Sequence, residues 1–145
     1  MKVKEQGQQH ILTVDIDEEL LSSLLGFAAE RGIEAAEIHG IGALRDFELG
    51  YYVLARKEYK RQKFSEIVEL LSCSGNLAIR EGKPFAHIHA TVGFPDFRAM
   101  GGHLFSGIVA VTAEIAFRPL PERMDRAYDG RTGLYLLDLP VRKAP

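Results

Sequence analysis

The sequence predicts an α+β protein: a largely antiparallel, mixed β-sheet with one main N-terminal helix, built as a single domain. Three observations lead there. About six or seven strand-like runs stand against one clear helical run. The intervals between the runs read as turns, too short for the helical crossovers that a parallel sheet needs. The length, 145 residues with 46% apolar and 26% charged, is that of one ordinary soluble domain. Such a chain buries enough surface to fold without disulfides or a structural metal.

The elements follow in order. His10 to Ile16, HILTVDI, alternates apolar and polar residues and predicts a strand. Asp17 is the expected N-cap of a helix running to Arg31, with Glu18 and Glu19 at the positive end of its dipole. Leu20, Leu21, Leu24, Leu25, Phe27 and Ala28 fall on one face of it, and Gly32 supplies the stop. Ala35 to Val53 reads as a strand interrupted at Gly40 and Gly42, where glycine marks a bulge or a close backbone approach. Residues 56–63, RKEYKRQK, read as a solvated hairpin loop. Their alternative role is a phosphate-contacting patch of Arg56, Lys57, Lys60, Arg61 and Lys63. Ile67 to Arg80 and Phe85 to Val92 form a hairpin around the turn Glu81–Pro84, and Gly93–Asp96 is a second turn. His103 to Phe117 is almost wholly apolar, with Glu114 its one charge. A strand apolar on both faces lies centrally in a sheet or meets another subunit. After a charged stretch, Leu134 to Leu139 forms a terminal strand, and about 140–145 is expected to be a loose tail.

Composition excludes several classes. One cysteine, Cys73, cannot form a disulfide framework or a cysteine zinc finger, and it suits a reducing cytoplasm. No signal peptide is expected at the N-terminus, and no apolar run approaches membrane-spanning length. A net charge of −2 argues against gripping nucleic acid by bulk charge. Gly40-Ile41-Gly42 lacks the third glycine of a dinucleotide fingerprint, and no nucleophile elbow or Walker loop is present.

The histidines carry the chemistry. In FAHIHATVG, His87 and His89 stand two apart on a predicted strand, so both imidazoles leave the same face. The bend expected at Gly101 and Gly102 returns the chain to His103. If the two strands pair, three neutral imidazoles surround one point. That set suits zinc or another divalent transition metal, with a fourth position open to water. Glu114 is a candidate partner for one of the rings. The competing reading gives these histidines ordinary hydrogen bonds within the sheet. Ligation needs neutral imidazoles, so metal affinity is expected to fall below about pH 6.5.

Three segments, GIGALRDFELGYY, VELLSCSGNLAIREGKPFAHIHATVG and GGHLFSGIVAVTAEIAF, together resemble the PPC (or PCC) domain, the "plants and prokaryotes conserved" domain. The likeness runs from about Leu12 to Leu139. The family usually reads Asp-Gly before GGHL, whereas here Asp96 precedes Phe97. The resemblance implies an α+β fold, a homotrimer, and a regulatory role tied to DNA or a transcription-related protein. The AT-hook that carries DNA contact in plant members is missing from this sequence. A weaker, fold-level likeness to acetolactate decarboxylase and related zinc proteins implies the alternative: a zinc-dependent enzyme acting on a small carbonyl or ester substrate.

Overall fold

A computed structural model describes residues 1–140 as one nine-stranded sheet with a single α-helix. The strands are β1 (Lys2–Gln6), β2 (Gln9–Asp15), β3 (Ala36–Val53), β4 (Glu58–Phe64), β5 (Val68–Arg80), β6 (Lys83–Gly93), β7 (Ala99–Pro119), β8 (Asp125–Asp129) and β9 (Leu134–Leu137). The helix, α1, is Leu20–Arg31. The tail expected at 140–145 falls almost wholly outside the described residues. Among the described residues, no helix is long and apolar enough to cross a membrane.

Four strands close on themselves: β7 pairs with β3, β3 with β5, β5 with β6, and β6 with β7 again, all antiparallel. The hairpin β1–β2 extends the sheet beyond β7, β4 folds back on β3, and β8–β9 attaches to β5 through a short parallel pairing. The long β3 and β7 stay in one ring because they bend; register shifts at Gly40/Gly42 and between Arg45 and Glu48 mark the places. One face of the ring and the apolar stripe of α1 form the core. Leu12, Leu24, Phe27, Leu44, Leu77, Ile88, Ile115 and Phe117 are sealed in it.

The helix begins later than the sequence predicts. Glu19, not Asp17, is the N-cap, and its carboxylate accepts from Ser22 N at 2.6 Å. Asp17 has a positive φ of 68° and its carboxylate takes Arg45 instead, while Glu18 is drawn to the N-terminal ammonium at 3.0 Å. Gly32 closes the helix in the left-handed conformation.

Residues 58–64 are a strand rather than a loop, and only the 3₁₀ turn Leu54–Arg56 and Lys57 form the hairpin bend. The basic side chains concealed an ordinary pairing partner for β3. The stretch 103–117 is central as expected, between β3 and its neighbours β2 and β6, within the longer β7. The turn before it places Phe97 at φ 64°, the conformation that glycine usually supplies, and holds it with Phe97 N–H donating to Phe94 O at 2.8 Å.

Candidate metal centre

The three imidazoles sit on the face of β6 and β7 that points away from the core. Ala86, Ile88, Ala90 and Val92 take the inner positions of β6, which leaves His87 and His89 outward. His103 is the cross-strand partner of His89, so register alone puts it beside them. The bend expected at Gly101 and Gly102 does not exist. Both glycines lie inside β7, where a Cβ at Gly101 would meet Ala90 O at 2.7 Å and one at Gly102 would meet Gly50 O at 2.7 Å. They serve close strand packing around the histidines, not a turn.

One nitrogen from each ring lies within 4.8 Å of the other two. His87 Nε2 and His89 Nε2 are 3.2 Å apart. Tetrahedral zinc with Zn–N near 2.05 Å sets neighbouring nitrogens about 3.3 Å apart, so that pair already has the required spacing. His103 is buried, and its Nδ1 has no hydrogen-bond partner among the described residues. It is held by rings instead, Tyr59 at 5.1 Å and Phe105 at 4.6 Å between centroids. An all-nitrogen set of this kind fits zinc and its transition-metal neighbours and not calcium or magnesium. The residues present therefore fit a divalent transition metal.

Electrostatics agree. Burial first, then the Arg126 guanidinium and the His89 ring, push the His87 pKa down to about 4. Burial first, then the charges of His87, His89, Arg61 and Arg126, push His103 down to about 4. Both rings stay neutral, and able to ligate, well below the pH 6.5 expected from sequence. A depressed histidine stabilises the fold fully above its unfolded value of about 6.5, and that stability is lost as pH falls towards 4. The metal-free protein is therefore expected to lose on the order of 2 kcal/mol between pH 7 and 4.5 from this pair, after allowance for their coupling and partial hydration. Melting curves in EDTA at the two pH values check it; a melting temperature unchanged over that range contradicts it.

Around the rings, Tyr59, Phe85, Phe105, Arg126 and Tyr135 wall a cleft of about 460 Å³, with Leu21 and Leu25 of α1 lining it too. Arg126 is buried, donating to Asn76 Oδ1 at 2.7 Å and to Tyr135 O at 3.1 Å. Sequence reasoning missed it because Asp125–Asp129 reads as a charged stretch; its short alternation is the strand β8.

Of the other sequence candidates, Arg61 reaches the edge of this site, and Glu114 lies well away from it. Glu114 is exposed on β7, roughly 35 Å along the strand from His103 at about 3.3 Å per residue. Its cross-strand partners are Thr13 and Ile41, so it does not meet the imidazoles. Of the basic residues, Arg61 forms a two-pronged ion pair with buried Glu48, at 2.7 and 2.8 Å, and stacks on Phe105 at 3.8 Å. Arg56 pairs with Glu58 at 2.8 Å, and Lys57 donates to Gly130 O at 2.5 Å. Lys60 and Lys63 are exposed and carry no ion pair among the described residues.

A closed ring of antiparallel strands carries on its outer face three histidines that could together hold a metal ion. The chain belongs to the Plants and Prokaryotes Conserved (PCC) domain family, whose profile matches residues 1–121. Solved structures agree. A metal-containing protein from Archaeoglobus fulgidus is 39% identical, covering 91% of this chain and 94% of its own, with a TM-score of 0.83. A plant- and prokaryote-conserved protein from Pyrococcus horikoshii is 32% identical over 97% and 96%, with a TM-score of 0.84. A proposed DNA-binding protein from Bacteroides thetaiotaomicron is 31% identical over 94% and 96%, with a TM-score of 0.91. No match was found among curated proteins.

Proposed function

We propose that this chain is a homotrimeric, cytoplasmic regulatory module associated with DNA or with a transcription-related protein, and that it holds zinc or a similar divalent metal on His87, His89 and His103. The observation that carries this reading is the convergence of the three ring nitrogens within 4.8 Å. One further fact supports the metal: the Archaeoglobus relative is described as metal-containing. The DNA association rests on relatives described as proposed DNA-binding proteins. The trimer is supported by an apolar concavity of about 370 Å³ where Ile41, Leu71 and Val111 are each at least half exposed. Further copies of the chain would cover it.

Direct DNA contact, if made through β4, falls to Lys60 and Lys63, because Arg56 and Arg61 are already engaged by carboxylates. Two phosphate contacts give a log–log salt slope of about −2. Titration of random duplex at two salt concentrations tests this. Weak binding with that slope, abolished by the double substitution Lys60→Glu, Lys63→Glu, is expected. No binding at low salt rejects direct contact and leaves a protein partner.

The cleft beside the imidazoles favours one second reading, a zinc-dependent enzyme acting on a small carbonyl or ester substrate. A metal held by three protein ligands supplies a Lewis acid and an acidified water. In that reading His87, His89 and His103 hold the ion, and Tyr59 and Arg126 shape the adjoining wall.

A further inference from the structure

We propose that the cleft beside the imidazoles binds a small organic carboxylate, with Arg126 as its anchoring cation. The inference goes beyond metal binding and does not depend on it.

Arg126 is only 8% exposed, and no carboxylate pairs with it among the described residues. A guanidinium has five N–H donors. Here one goes to Asn76 Oδ1 and one to Tyr135 O, both neutral acceptors, and Nε finds no partner among the described residues. A buried cation balanced by neutral groups alone is costly, and an anion at the same place offsets that cost. Arg80 compounds the imbalance. It is the cross-strand neighbour of Arg126, lines the same cleft, stacks on Phe85 at 4.3 Å, and also lacks a carboxylate partner among the described residues. No Asp or Glu lines the cleft, although the chain as a whole carries a charge of −2. The nearby acid, Glu81, accepts the Tyr135 hydroxyl at 2.8 Å.

The same cleft says which anion. Besides the histidines and the two tyrosines, its walls are mostly apolar, with Leu21, Leu25, Phe85, Phe105, Leu134 and Leu136 among them. Free phosphate could also pair with the arginines, but it has no apolar body to set against these side chains. A carboxylate on a short carbon body presents its oxygens to the arginine and its body to the apolar wall, and a planar fork suits a carboxylate edge. A cleft of about 460 Å³ admits a small molecule of that kind.

Calorimetric titration of the metal-free chain with pyruvate tests this, with inorganic phosphate as the comparison. Saturable pyruvate binding is expected, weakened roughly tenfold or more by both Arg126→Gln and Arg126→Lys. His89→Ala, which dismantles the metal centre, leaves the Arg126-dependent binding in place, so failure of the metal reading and failure of this one are separable. The Arg126 Nε–Hε resonance of the unaltered protein gives a readout that needs no variant, and it is expected to shift on titration. Pyruvate binding that is absent or insensitive to Arg126, a resonance that does not move, or phosphate binding as tightly as pyruvate would overturn the proposal.

Discussion

His89→Ala is expected to reduce metal content from about one ion per chain to less than a tenth of that, and His103→Ala to do the same at a cost in stability. A first-row metal held by three imidazoles loses most of its affinity with one of them, at least about a hundredfold, since even a hydrogen-bonding neighbour of a ligand is worth 10–100-fold. The two variants differ in what else they remove. His89 is exposed, so its loss leaves the core intact. His103 is 8% exposed and packs between Tyr59 and Phe105, so truncation opens a cavity as well, worth about 2–3 kcal/mol. Elemental analysis of dialysed protein reads the metal, and thermal melts read the fold. Unchanged metal content in a folded His89→Ala variant contradicts the assignment.

The second large effect is structural. Gly75→Ala is expected to destabilise the protein by about 3 kcal/mol and to loosen the metal centre with it. Gly75 pairs with Ile88 across β5 and β6, and a Cβ there would collide with the His87 carbonyl oxygen and lie 2.8 Å from Ile88 Cα. The obstruction is backbone, which cannot rotate aside as a side chain can. Relief requires β5 and β6 to part, and β6 carries two of the three imidazoles. Gly26→Ala is the control. Nothing lies within 4 Å of its Cβ position, and it sits mid-helix, where alanine is favoured by up to about 1 kcal/mol. Equal stability of the two variants in denaturant titrations would show that the close approach at Gly75 carries no cost.

Much of the fold is legible from alternation and punctuation. The strand 103–117 announces its central position through its apolar content, and FAHIHATVG places two imidazoles on one face by period alone. What hides is pairing. β4 escapes notice because its outward positions are basic and its inward ones few, although it pairs along its whole length with β3. β8 hides for the same reason, and Arg126 with it. Gly101 and Gly102 read as a bend because glycine pairs usually make one; only the neighbouring strands reveal that they are there to admit Gly50 and Ala90. Glu114 shares a strand with His103, but nothing in a linear pattern states how far a long strand carries it away. Long-range register decides each of these, and one sequence does not record it.

The central claim is that three imidazoles from two adjacent strands share one ion. The direct measurement is an anomalous-difference map from crystals grown without added metal, with data on both sides of the zinc edge. A single peak about 2.0–2.1 Å from one nitrogen each of His87, His89 and His103 is the predicted result. Three ordered rings, with their nitrogens bonded to water or protein and no anomalous density between them, would contradict it.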